Sequence, residues 1–309
     1  MRKLLFLILL SIPISLFSVG IREPAVKDKL EDTYTVYSIP LGNRTVVDYS
    51  MISDSTAIFS VGGPDLFLIY LKTGKKTKIK LPDELKGENI QLIQNLKYQN
   101  DSNSLHMIGG NKNIHERSYF ILHLDDMQWE EIPALRGIST MHYYDPVKNI
   151  IYYEDFSKES RILVFDMTNH EKLEPIAFPE NMTLIHVNTV LENPLVFFTN
   201  AVNRSTGKMQ YYYFDPASGT GVEFQEVEMH PEGFSLEDFN PLSRYDFLCL
   251  NRFRKDESGI VEFNLMEKSY TMVDEQSYQF RYLKKISDGK YSFIVNAHKI
   301  IDVLCILDY

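Results

Sequence analysis

The sequence predicts an all-β protein: six four-stranded antiparallel units closed into a ring, the architecture of a six-bladed β-propeller. Three observations carry this. A turn signal recurs about every 47 residues, a short apolar run follows it in each repeat, and the last repeat is one strand short while a spare strand precedes the first.

The turn signals are SDS at Asp54, NDSN at Asp101, DPVKN at Asp145, ENP at Asn193, PLSRYD at Ser243 and SDGK at Asp288. Five intervals span the 234 residues from Asp54 to Asp288, the length of a four-stranded blade each. After each turn comes a nearly continuous apolar run, AIFSV, SLHMI, NIIYY, LVFF, FLCL and YSFIV, which reads as a buried second strand.

Third strands follow as LIYLK, ILHLD, LVFDM, YYFDP, VEFNL and CILDY. They place Lys72, Asp125, Asp166, Asp215, Asn264 and Asp308 in one column. Asp and Asn suit a tight turn there because their side chains accept the backbone N–H two residues on. Five repeats continue into a polar outer strand: KTKIKL, QWEEI, EKLEPIA, VEFQEVE and SYTMV. The sixth ends at Tyr309 without one, and YTVYSI from Tyr34 to Ile39 is expected to supply it, removing an open sheet edge.

Outside the ring, Arg2 and Lys3 followed by the apolar run Leu4 to Phe17 and the small residues Ser18-Val19-Gly20 read as a signal peptide over residues 1–20. Residues 21–33 read as a polar linker and 34–309 as a single propeller domain. Export to the periplasm, cell envelope or exterior is therefore expected, with no membrane span after cleavage.

The net charge of -10, with no compensating Lys/Arg stripe, argues against a nucleic-acid partner. Cys249 and Cys305 each lie in an apolar run and read as buried packing thiols. No phosphate loop, zinc motif, nucleophile elbow or calcium loop occurs, so no cofactor and no metal are expected. A monomer is expected.

The stretch LHMIGGNKNIHERSYFILHLDDMQWEEIP resembles a kelch repeat, with the pair Gly109-Gly110, an aromatic at Tyr119 and Trp129 on the outer strand. IFSVGGPDLFLIYLKTGKKTKIKLP, with Gly62-Gly63, looks like a second copy; the other four repeats keep only the spacing. The resemblance implies a galactose-oxidase-like superfamily, in which a copper radical oxidase and a sugar-acid mutarotase are precedents. Copper is not expected, because neither cysteine lies in a loop.

The ends of the second strands form one column, Gly62, Gly109, Glu154, Asn200, Asn251 and Asn296, and the next holds Gly63, Gly110, Asp155, Ala201, Arg252 and Ala297. These positions are expected to ring the channel mouth on the face of the loops between second and third strands. The expected ligand residues are Glu154, Asp155, Asn200, Asn251, Arg252 and Asn296.

Their polar ring suits a protein or carbohydrate ligand, and the leading expectation is a non-enzymatic binding or scaffold module. The alternative is a carbohydrate-active enzyme of the mutarotase or epimerase type. From placement alone, Glu154 with Arg252 or Arg254 would be proton shuttle and carboxylate holder, with His115 or His298 as alternate base.

Overall fold

The computed structural model describes residues 28–42, 44–86, 90–111, 116–155, 161–178, 180–192, 194–216, 223–228, 236–254, 257–276, 279–297 and 301–309. Among these, strands pair into six antiparallel sheets. The first blade is β2 (Asp48–Ser53), β3 (Thr56–Ser60), β4 (Leu66–Tyr70) and β5 (Lys75–Ile79). The second is β6 (Leu92–Gln99), β7 (Ser104–Gly110), β8 (Ser118–His123) and β9 (Gln128–Ile132). The third is β10 (Ile138–Asp145), β11 (Ile150–Asp155) and β12 (Arg161–Asp166), its outer strand split into β13 (Glu171–Lys172) and β14 (Ile176–Ala177). The fourth is β15 (Met182–Glu192), β16 (Leu195–Asn203), β17 (Met209–Asp215) and β18 (Glu223–Glu228). The fifth is β19 (Leu236–Pro241), β20 (Asp246–Arg254), β21 (Glu257–Asn264) and β22 (Ser269–Gln276).

The sixth blade is β23 (Gln279–Ser287), β24 (Lys290–Ala297) and β25 (Ile301–Asp308), completed by β1 (Thr35–Ser38) from the other end of the chain. Thr35 pairs Ile306 and Val36 pairs Cys305, antiparallel. The N-terminal segment is thus the missing outer strand. Anchoring begins before β1, where the composition suggested a polar linker. Leu30 in the helical turn at residues 28–31 is fully buried, and the Tyr34 hydroxyl donates to the Asp274 carboxylate of β22 in the neighbouring blade.

The core is divided between the blades. Six apolar clusters occur among the described residues, and each spans one blade-to-blade interface. The cluster holding Tyr49, Phe59, Ile294 and Leu304 joins the sixth blade to the first, which an open array would lack. Phe198 stacks on Phe247 at 4.6 Å between the fourth and fifth blades, and Phe178 on Phe214 at 4.4 Å between the third and fourth. Cys249 and Cys305 are free and buried in different interfaces.

Local chemistry follows the turn logic. Asp166 Oδ1 accepts the Thr168 N–H at 2.7 Å, two residues on, and Asn264 Oδ1 accepts that of Glu267 at 2.7 Å. The two glycine pairs that look alike in sequence serve different needs. Gly62 and Gly63 adopt φ of 74° and 113° just past β3, a backbone that side chains disfavour. Gly109 and Gly110 lie within β7, where a Cβ would approach Phe120 Cε2 to 2.7 Å and Arg117 Cγ to 2.5 Å.

Candidate functional site

The six innermost strands β2, β6, β10, β15, β19 and β23 wall a central cavity of ≈1350 Å³. Every one of them carries a β-bulge. Bulges re-aim side chains and break the alternation of a regular strand. Three bulge residues adopt left-handed backbone: Asn95 at φ 58°, Asp238 at 51° and Tyr282 at 59°.

Side chains at or near these bulges link successive blades. Asp48 Oδ2 accepts the Leu96 N–H at 2.8 Å, Asn95 Oδ1 that of Met141 at 3.2 Å, and Asp238 Oδ2 that of Leu283 at 3.0 Å. A second tier repeats the device, with Ser50 accepting from Tyr98 and Asn240 from Lys285. Each bond reaches 45 to 48 residues ahead, one blade, and satisfies backbone groups that would otherwise face the cavity unpaired.

Four charged groups dominate the wall. Lys284 Nζ lies 2.6 Å from Asp48 Oδ1 and 5.0 Å from the centre of the Tyr49 ring. Lys97 donates to the His142 carbonyl, and no carboxylate of the described residues forms an ion pair with it. Burial and then the Lys284 charge pull the Lys97 ammonium down to about 8, partly opposed by Asp48 and Glu192. Burial pushes the Asp238 carboxyl up to about 6, against the Leu283 hydrogen bond and the Lys284 charge.

On the third and fourth blades His142 Nε2 approaches Glu154 Oε1 to 3.1 Å, without the alignment of a hydrogen bond. His142 is almost wholly buried, and His186 faces the open cavity beside it. Burial, and next the proximity of His142, hold His186 below the ordinary imidazole range, while Glu154 opposes the shift. Neutral His186 both donates and accepts hydrogen bonds near neutral pH. Among the described residues no group of three or more His, Cys, Asp or Glu side chains is placed to hold a metal ion.

The residues singled out in the sequence lie one strand behind this wall. Glu154 touches wall residue His142, and Asn200 Oδ1 accepts from wall residue Asn188 at 2.8 Å. Asn296 Nδ2 instead donates to Asp302 at 2.7 Å. Asp302 also holds Arg281 at 2.8 Å and accepts the Val46 N–H at 2.9 Å, so Asn296 belongs to the junction that closes the ring. Arg252 pairs with Glu237 at 2.7 Å near the surface, and Asp155 ends β11 opposite Ile138. Asn251 is fully buried, with neither side-chain polar atom hydrogen-bonded. His115 and His298 lie outside the described residues.

No family model matches the chain, and no curated protein matches it. Solved structures do. A chain in a structure of the mitotic checkpoint complex aligns with TM-score 0.57 and 10% identity, over 100% of this chain and 99% of its own. An oligogalacturonate lyase in complex with manganese aligns with TM-score 0.55 and 11% identity, over 82% and 74%. A putative TolB from Agrobacterium tumefaciens gives TM-score 0.55 and 9% identity, over 79% and 88%. The shared fold is a β-propeller, which has six blades in this chain. At these identities the likeness is one of fold alone.

In this propeller the described cavity extends to the turns between first and second strands, where Pro146, Pro194, Arg244 and Ser287 line it. That is the face opposite the second-to-third-strand loops on which the sequence reading centred. The wall residues Lys97, His142, His186, Asn188 and Lys284 were missed. Their strands show neither clean alternation nor a continuous apolar run, so no periodicity marks them.

Proposed function

We propose that this chain is an exported binding or scaffold module that takes its ligand in the central channel of the propeller. The supporting observation is the ≈1350 Å³ cavity. Asp48, Asp238 and Asn240 are occupied in joining the blades, while Lys97, His186, Asn188 and Lys284 present polar groups to the open space. Open concave sites with a few convergent polar groups are where propellers and other closed folds take ligands.

Export rests on the reading of residues 1–20, which lie outside the described residues, and no described helix is long and apolar enough to cross a membrane. The ligand class extends to a protein segment or a carbohydrate, and the module acts as a monomer without nucleic acid. The kelch-like resemblance rests on Tyr119 and Trp129 in the second blade and on Gly62-Gly63 in the first, and the two glycine pairs differ in backbone role.

A thermal-shift screen of the mature chain with oligosaccharides, sugar acids and short peptides tests the channel. A ligand that raises Tm for wild type and much less for Asn188→Trp, which projects an indole into the cavity, is the expected result. A ligand that stabilises both equally places the site elsewhere. A second reading, a carbohydrate-active enzyme, draws on the His142–Glu154 contact beside His186, a pairing able to hold and return a proton. It requires turnover of a sugar acid that Glu154→Gln abolishes.

A further inference from the structure

Lys97 differs from the other lysines of the cavity wall. Lys284 has its counter-ion in Asp48 at 2.6 Å, and Lys285 has Asp288 at 2.6 Å. Lys97 has only the His142 carbonyl, with Asp48 and Glu192 acting on it through space and Lys284 repelling it. Enclosed charges in proteins are normally paired, and removing one from water without a counter-ion is costly. Because Asp48 is engaged by Lys284, the Lys97 ammonium is left with a single charge and, among the described residues, no ion-pair partner at hydrogen-bond distance. That matches a carboxylate better than a phosphate dianion.

We propose that the cavity takes a small organic carboxylate, whose anionic oxygens seat against Lys97 Nζ on the side facing Lys284. Neutral His186 and Asn188 on the fourth blade then offer hydrogen bonds to the uncharged part of the ligand. The proposal rests on the channel reading above and adds the ligand's charge. It carries a pH signature. The groups facing Lys97 are Lys284 from β23, Asp48 from β2, Glu192 from β15 and the His142 carbonyl from β10. A bound carboxylate favours the ammonium form, so above about 8, where free Lys97 loses its proton, binding must take one up. Affinity then falls about tenfold for each further pH unit.

Isothermal titration of the mature chain at low ionic strength tests this with matched pairs: D-galacturonate against D-galactose, N-acetylglutamate against N-acetylglutamine, and inorganic phosphate as a further arm. In at least one pair the carboxylate is expected to bind about tenfold or more tighter than its neutral twin at pH 7. The preference should fall by about tenfold near pH 9. Lys97→Gln should erase it at unchanged Tm or above, whereas Lys97→Arg should keep it and flatten its pH dependence.

Equal binding of both twins, lost in Asn188→Trp, overturns the anion claim and leaves the channel reading intact. Binding that persists at full strength in Asn188→Trp, in Thr140→Trp and in the double variant overturns the channel reading itself. A preference that persists in Lys97→Gln, phosphate binding tighter than every carboxylate, or no binding by any carboxylate at millimolar concentration each overturns the proposal.

Discussion

Gly62 and Gly109 occupy matching positions in adjacent repeats, yet one is required by its backbone angle and the other by a neighbouring ring. The two requirements separate experimentally. Gly109→Ala drives a methyl into Phe120 and is expected to cost about 1–3 kcal/mol. Adding Phe120→Leu should recover part of that loss. Gly62→Ala meets no atom within 4 Å, so its cost of about 1 kcal/mol arises from the left-handed backbone. Phe120→Leu should not rescue it. Chemical denaturation of the four variants measures both effects, and rescue of both glycine variants would refute the distinction.

Asp238 gives a pH-dependent case at the same scale. Its folded-state pKa is raised from the unfolded value, so the fold favours the protonated acid. That contribution is complete below 3.8 and is lost as pH rises to about 6. Asn95 fills the same role in the second blade with a neutral amide. Asp238→Asn should therefore keep the acceptor for Leu283. It is expected to raise stability at pH 7 by on the order of 1–3 kcal/mol, with the gain shrinking towards pH 4. Denaturation curves across that range read the sign; a gain that grows on acidification would contradict it.

At the scale of elements, the second, third and outer strands were legible because each obeys one rule. Runs such as FLCL and YSFIV are buried on both faces between neighbouring blades, and Asp166 or Asn264 marks the turn that follows a third strand. β1 was legible as a strand without a repeat. The innermost strands were not legible as a site. In β6 and β19 a bulge shifts the side-chain phase midway, and residues such as Asn95 and Asp238 bond the next blade rather than a strand partner. Glu154 and Asn200 were legible as positions because they follow the apolar runs of regular second strands; His142 and Asn188, which they touch, sit in bulges.

β1 also carries the element-scale test. Val36 is buried against the sixth blade and pairs Cys305. Val36→Asp puts an unpaired carboxylate in that cluster and is expected to cost about 3 kcal/mol or more. The freed edge of β25 should then promote association. Loss of Tm together with higher-order species on size-exclusion chromatography is the expected outcome; a monomer of unchanged Tm would show that β1 does not close the ring.

For the whole molecule, six interfacial clusters and the Asp302 junction make the ring continuous, and side-chain bonds from one innermost strand to the next tie these strands together. A wall fixed in this way presents its lysines, imidazoles and amides at set positions, the preorganisation that ligand binding rewards. The chain's one tryptophan, Trp129, lies on an outer strand and packs against Phe120, away from the cavity wall. An indole introduced by Thr189→Trp in a Trp129→Phe background therefore reports from the cavity wall alone. If the channel is the binding site, a ligand that stabilises the wild type will either shift or quench this indole's fluorescence, or fail to bind because the ring blocks it. Full binding with unchanged emission would contradict the account.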